Sequence, residues 1–332
     1  MGVSSRLDGY QRRHRWAGLP LAVLYKYIDD QGYYLTAMIT YYGFLSLFPL
    51  LLLTLTILGF LLHDNADLQG RVLDSALRQF PVVGDQLRDN VQSLRGSTFA
   101  LVISIVLSVY GSLGVAQAAQ TAMNRVWGIS RNARPNPLRS RLRSLLMLAI
   151  VGGGVLVSTG LSAVTTAADA FGSDVGTSAR VAVTVLSMGL NLALVIVAYL
   201  LLTARRLALR EILPGAVIAA VVWQVLQWLA TYYLGHMLRG ASATYGLFGI
   251  VLGLLAWIYL GALTLVFCAE INAVRSRRLW PRSLLTPFTD NVLLTAGDRR
   301  AYTSYAATER HKGFERIDVN FDDTTPDRGP AD

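Results

Sequence analysis

The stretch GLLAWIYLGALTLVFCAEINA, residues Gly253–Ala273, decides the fold class of this chain. No charged side chain occurs in it before Glu270. An apolar run of this length is typical of a helix immersed in lipid, where backbone N–H and C=O groups have no water partner and must bond within the helix. The stretch therefore predicts a membrane-spanning helix with a single acid near its end.

Similar apolar segments recur along the chain. Each is about 22 to 26 residues long, or roughly 33 to 39 Å as a helix, against a hydrocarbon core of about 30 Å. Only 15% of the residues are charged, whereas soluble domains carry about 25%. The six predicted spans are Met38–Leu62, Thr98–Ala119, Leu145–Ala168, Val181–Thr203, Ile212–Leu234 and Gly246–Ile271.

The positions of the basic residues predict the topology. They cluster before the first span, between the second and third, between the fourth and fifth, and after the sixth. Because such loops remain in the cytoplasm, both termini are expected inside. We therefore divide the chain into an N-terminal cytoplasmic segment (1–37), a six-helix transmembrane domain (38–278) and a cytoplasmic, partly disordered C-terminal tail (279–332).

Two further helical features are expected outside the bilayer core. Leu19–Asp30 carries Pro20 at a plausible first-turn position and mixes apolar with charged residues, which predicts a short helix lying in the cytoplasmic interface. The connection from His63 to Ser97 has apolar residues at helical spacing on both sides of Pro81 and predicts an amphipathic extracytoplasmic hairpin. The predicted fold class is thus all-α and polytopic.

Enzyme chemistry finds little support in the sequence. The four histidines are scattered without metal-ligand spacing, Cys268 is the only cysteine, and no phosphate-binding loop or nucleophile turn occurs. We therefore expect no catalytic residue, metal or cofactor. The net charge of +9 is explained by topology and attraction to anionic lipids, so we expect no nucleic-acid partner.

Polar groups within the spans are the remaining candidates. Glu270, the only charged residue in them, is predicted near the cytoplasmic interface, where it has either a structural ion pair with an arginine such as Arg125 or Arg206, or a role in gating, proton coupling or substrate handling. Pro49 should kink the first span. The candidate transport or gating residues are Glu270, Asn272, Pro49, Asn124, Arg125, Asn191, Gln224 and Gln227.

Arginines on the predicted cytoplasmic face could collect anionic lipid headgroups. Each basic residue near the membrane surface contributes about 1 kcal/mol of attraction. The expected partners are therefore membrane lipids, and a homo-oligomer is left open. The candidate headgroup-binding residues are Arg139, Arg141 and Arg143.

Four ordered motifs resemble the YihY/BrkB family of bacterial inner-membrane proteins. They are YYGFLSLFPLLLL at Tyr41–Leu53, SLGVAQAAQTAMNRVWGI at Ser112–Ile129, ILPGAVIAAVVWQVLQWLATYYL at Ile212–Leu234, and YGLFGIVLGLLAWIYLGALTLVFCAEINA at Tyr245–Ala273. The resemblance covers roughly Leu19 to Arg278. The positions carried over from the family are Pro49, Asn124, Trp127, Pro214, Gly215, Trp223, Tyr245, Gly246, Trp257, Glu270 and Asn272.

The resemblance implies six helices with both termini inside. It also brings an old ribonuclease BN label, a virulence-factor label connected with serum resistance, and envelope lipid export as the most concrete suggested activity. We expect a multi-pass protein of the cytoplasmic membrane that assists transport or flipping of a lipid or amphiphilic envelope precursor. The alternatives are a non-transporting envelope scaffold and, more remotely, a membrane-anchored ribonuclease.

Overall fold

The computed structural model describes residues 3–61, 98–170, 177–237, 246–290 and 292–321. In these residues all regular structure is helical. Two short helices come first, six long ones follow, and a short one lies near the C-terminus. The bounds are α1 Val3–Arg13, α2 Arg15–Asp29, α3 Gly32–Leu61, α4 Thr98–Val126, α5 Pro137–Ala170, α6 Thr177–Leu202, α7 Leu209–Met237, α8 Gly246–Arg277 and α9 Ala296–Thr308.

The six long helices coincide with the six predicted spans and extend most of them at one or both ends. Among the described residues, three segments are long and apolar enough to cross a membrane: Val185–Leu202, Leu209–Leu229 and Val251–Arg277. The all-helical class is therefore confirmed, while the count of six spans and the topology stay predictions. The predicted hairpin at residues 63–97 lies outside the described residues, as does the tail from 322 onward.

The chain divides into two compact units. One unit comprises Met1–Thr36, Ala119–Leu226 and Leu263–Asp332. A buried apolar cluster in it joins α2, the end of α8 and the segment that follows α8; its members are Ala22, Val23, Val274 and Leu279. Burial of this face of α2 fixes the helix against α8. The charged residues on the same face are therefore buried as well.

The second unit comprises Ala37–Ala118 and Gln227–Ala262. Small residues bring its helices close together. A Cβ on Gly111 would lie 3.1 Å from Ser46 Cα, and one on Gly43 would lie 2.9 Å from a methyl group of Ile258. Close approach at small residues is the usual way in which helices associate in a membrane.

Helices α4 and α8 end in the same way. In each, a residue with positive φ follows the helix, Gly128 (55°) after α4 and Arg278 (54°) after α8. The next amide then donates back five residues, from Ile129 to the Asn124 carbonyl and from Leu279 to the Val274 carbonyl, at 2.8 and 3.0 Å. This is the Schellman arrangement, which turns the chain sharply. It directs both following segments back over the first unit.

Candidate functional site

A buried group of three charged side chains lies where α2 packs against α8. Lys26 Nζ is 3.1 Å from Glu270 Oε2 and also contacts the carboxylate of Asp30. Lys26 and Asp30 share a face because they are four residues apart. All three side chains are at most 2% exposed. We call Lys26, Asp30 and Glu270 the buried charge group.

The buried charge group holds two carboxyl groups and one ammonium, so the acids outnumber the base within it. Neither carboxyl oxygen of Glu270 has a hydrogen-bond partner among the described residues, although Lys26 Nζ lies 3.1 Å from Oε2. Burial of an ion pair costs several kcal/mol per charge unless hydrogen bonds offset that cost. The arrangement is therefore weak as a device for stability alone.

A chain of alternating charges leads from this group to the surface. Arg125 Nε lies 3.8 Å from Asp30 Oδ1, and its Nη1 lies 2.6 Å from Oε1 of Glu309. Glu309 is the C-cap residue of α9 and also pairs with Arg131 at 3.3 Å. The N-terminal helix α2, α4, α8 and the C-terminal segment are therefore joined by one electrostatic network.

The charge state of Lys26 follows from its two partners. Burial by itself lowers the pKa of Lys26, but the carboxylates of Glu270 and Asp30 outweigh burial and raise it above the usual value. Lys26 is therefore an ammonium at neutral pH. One further contact adds to its stabilisation, since Nζ lies 5.9 Å from the ring centroid of Tyr305 in α9.

A second buried network anchors the segment after α8. Arg282, 1% exposed, pairs with Asp298 at 2.5 Å and with Asp29 at 3.2 Å. Asp298 also accepts hydrogen bonds from the backbone N–H groups of Ser283 and Thr295 and completes the capping box of α9. Tyr305 donates to Asp29 at 3.0 Å. Asp29 and Asp30 are adjacent at the end of α2. Asp30 belongs to the buried charge group and Asp29 to this second network.

Two of the amide side chains predicted as site residues form hydrogen bonds with backbone groups of other segments. The Asn272 amide is fully buried; it accepts from Gly215 N at 2.7 Å and donates to the Ile212 carbonyl at 2.9 Å, so it clamps the first turns of α7. Asn124 accepts from Ala204 N at 2.8 Å. Both side chains therefore join helices within the first unit.

The other predicted amides of the first unit do not bond to Glu270. Within the described residues, neither Asn191 nor Gln224 has a hydrogen bond to it, and both are half-buried. Gln227 and Pro49 belong to the second unit; Gln227 is exposed, and Pro49 lies within α3. Near the start of α5, Arg139 and Arg141 are exposed and Arg143 is half-buried.

The predicted arginine partner of Glu270 is wrong. Its partner is Lys26, because α2 packs against α8. Arg125 contacts Asp30 instead, and Arg206 is exposed. Helix α2 also begins at Arg15, so Pro20 lies inside it and not in its first turn.

The second network was not anticipated from the sequence. Arg282 and Asp298 belong to the segment assigned to the C-terminal tail. One signal for it was present, since Thr295 and Asp298 have capping-box spacing ahead of a helix. Among the described residues, no group of three or more His, Cys, Asp or Glu side chains is placed to hold a metal ion.

Comparisons with known proteins place these features in a family. The family model for virulence factor BrkB matches residues 23–288. A ribonuclease-like protein of Bacillus subtilis, YfkH, is 26% identical over 270 residues, 76% of this chain and 93% of that protein. The inner membrane protein YhjD of Escherichia coli is 23% identical over 283 residues, 77% of this chain and 80% of YhjD.

A UPF0761 membrane protein of Xanthomonas campestris is 22% identical over 272 residues, 79% of this chain and 62% of that protein. No solved structure matches the chain. The matched region includes Lys26, Asp30, Glu270 and Arg282, which form the centres of both buried networks. Since the family model spans most of the chain, the protein belongs to the virulence factor BrkB family of membrane proteins.

Proposed function

We propose that the protein assists the movement of a lipid, or of another amphiphilic envelope precursor with an anionic headgroup, across the cytoplasmic membrane. The observation that carries the proposal is the buried charge group, in which Glu270 lies 3.1 Å from Lys26 and neither of its carboxyl oxygens has a hydrogen-bond partner among the described residues. Ionisable residues in membrane helices are costly and mark transport pathways. Glu270 would act there as a gate that repels anionic headgroups.

The surface at the start of α5 supports an amphiphile as the cargo. Exposed arginines alternate there with exposed leucines: Leu138 is 78% and Leu142 is 67% exposed, beside Arg139 and Arg141. Guanidinium groups suit an anionic headgroup, and the leucines suit the acyl chains attached to it. A small soluble anion would leave these leucines without a partner.

A reconstituted lipid-movement assay tests the proposal. Glu270→Gln should accelerate movement of an anionic lipid by about tenfold, because removing about 1.4 kcal/mol of repulsion corresponds to that factor. Movement of a zwitterionic lipid should stay unchanged. Glu211→Gln is the matched control, since Glu211 pairs with Arg205 at 3.7 Å and bonds to Ser276, outside the buried charge group.

The scaffold alternative has its own support, because Asn272 and Asn124 both hold helices together. It predicts that Glu270→Gln lowers thermal stability and that wild-type vesicles move lipid no faster than empty ones. That pair of results would exclude the transport proposal.

We also propose that both termini lie in the cytoplasm. Reporter fusions at Arg134 and after Arg278 should report a cytoplasmic location, and fusions at Asp174 and Arg239 an external one, because basic loops stay inside. A periplasmic signal from the fusion after Arg278 would contradict the six-span topology.

A further inference from the structure

Two arginines pair with one carboxylate at the outer end of the charge chain, and a third arginine follows in the same turn. Glu309 Oε1 pairs with Arg125 and its Oε2 with Arg131, at 2.6 and 3.3 Å. Arg134 ends the 3-10 turn Arg131–Ala133, and its backbone N–H donates to the Arg131 carbonyl at 3.3 Å. Burial first, and then the charges of Arg131 and Arg125, lower the pKa of Arg134. We call Arg125, Arg131 and Arg134 the arginine triad. The triad has three positive charges, and Glu309 has one negative charge.

The arginine triad also has N–H groups that donate no hydrogen bond to the described part of the chain. Arg134 bonds through Nε to the Ile129 carbonyl at 3.4 Å, and its two terminal nitrogens have no hydrogen bond to any residue in the described part of the chain. On its far side Arg125 reaches Asp30, but Asp30 is shared with Lys26. The triad can therefore accept more negative charge than Glu309 supplies.

A phosphate group supplies the missing negative charge better than a carboxylate does. Guanidinium groups bind phosphate oxygens in a forked geometry, and a phosphate monoester has three strong acceptor oxygens and a charge of about −1.5 to −2. Glu309 engages two of the arginines with its two oxygens, and a third oxygen could engage Arg134. Because Glu309 is 47% exposed, its ion pairs are weak enough to be displaced.

We propose that the arginine triad is a binding site for a terminal phosphate group and that Glu309 occupies it when no phosphate is bound. In the cell the phosphate would belong to a lipid headgroup, which rests on the proposed function; free phosphate shares the same chemistry. The site is separate from Arg139, Arg141 and Arg143, which collect headgroups without enclosing them. Displacement of Glu309 would transfer Arg125, which touches the buried charge group through Asp30, from the carboxylate to the phosphate.

Equilibrium binding to the purified full-length protein tests the proposal. The probes are dihexanoyl phosphatidic acid, inorganic phosphate and dihexanoyl phosphatidylcholine. Arg134→Gln should weaken phosphatidic acid binding about tenfold, the loss expected for one charged hydrogen-bonding partner. Arg131→Gln, at a 54% exposed position, is the second variant if Arg134→Gln unfolds. The control is Arg316→Gln, an 86% exposed arginine that pairs with Asp318.

The Glu309→Gln variant distinguishes a ligand-binding site from an ion pair that is only structural. Removing the competing carboxylate should tighten phosphatidic acid binding about threefold while it slightly lowers thermal stability. A purely structural ion pair would lose stability and leave phosphate binding unchanged. The two readouts therefore move in opposite directions only if Glu309 competes for the site.

The three probes identify the source of the phosphate. Tight binding of phosphatidic acid with weak binding of inorganic phosphate supports a lipid headgroup, and equal binding of the two supports a site for free phosphate. Phosphatidylcholine binding as tight as that of phosphatidic acid, or wild-type binding by Arg134→Gln and Arg131→Gln, would overturn the site. Phosphate binding without lipid movement would retain this site and refute the proposed transport.

Discussion

Replacement of Gly215 by alanine should destabilise the protein by about 3 kcal/mol, the upper part of the range for overpacking. A Cβ on Gly215 would lie 2.2 Å from the Cys268 carbonyl oxygen and 2.5 Å from Asn272 Nδ2. The carbonyl belongs to the backbone of α8 and cannot rotate away. Helix α7 would therefore have to shift and break its clamp with Asn272. Thermal unfolding of the purified variant in detergent measures the effect.

Gly253→Ala is the matched control for this prediction. Gly253 also lies within a long helix, but a Cβ there would meet no described atom within 4 Å. Alanine should stabilise that helix by about 0.5 to 1 kcal/mol relative to glycine. Opposite signs at the two positions are expected, and equal unfolding temperatures for Gly215→Ala and the wild type would contradict the close packing of α7 on α8.

The second large effect is expected for Lys26→Met. The substitution leaves Glu270 and Asp30 buried without their ammonium partner, and loss of one member of a buried ion pair costs about 3 to 5 kcal/mol. Adding Glu270→Gln should recover part of the loss, because it removes the acid whose ion-pair partner among the described residues is Lys26, whereas Asp30 still has Arg125 at 3.8 Å. Lys312→Met is the control: the other lysine of the chain is exposed and should change stability by less than about 0.5 kcal/mol.

The pH dependence of this effect has a definite sign. Because the folded state raises the pKa of Lys26, its stabilisation is complete below the usual lysine value and is lost only as the pH rises through the raised value. The stabilisation by the Lys26 ammonium should therefore be fully present up to about pH 9, and wild type should remain more stable than Lys26→Met from about pH 6 to pH 9. A difference that disappears within this range, or an unfolding temperature for Lys26→Met equal to that of the wild type, would show that the ion pair does not stabilise the fold.

The helices could be predicted from the sequence, but the main contact of Glu270 could not. Long apolar runs require helices, so the positions of α3 to α8 follow from composition alone. The pairing of Glu270 with Lys26 depends on how α2 packs, and residues so far apart in the chain leave no periodic signal. The short apolar stretch around Val23 and Tyr27 fits a surface helix as well as a helix packed against α8. Only the tertiary structure shows that α2 packs against α8.

The C-terminal segment is a second case in which the sequence pattern did not indicate the tertiary contacts. Its polar composition predicted a tail, yet Arg282 and Asp298 are buried because each charge has a partner. Composition measures average polarity and does not register pairing, which decides whether a charge can be buried. The capping box at Thr295 was a local signal for α9, but it could not indicate where that helix would dock.

The pairing of Lys26 with Glu270 also constrains the order of assembly. Ribosomes synthesise Lys26 244 residues before Glu270, at about 5 to 20 residues per second, and the helices α3 to α7 are made between the two. Until α8 is made, Lys26 has only Asp30 from its own end of the chain as a counter-ion, and the pair must stay in water or among headgroups. Docking of α2 is therefore a late event in biogenesis, and a nascent chain that stops before α8 would leave this charge exposed to membrane quality-control proteases.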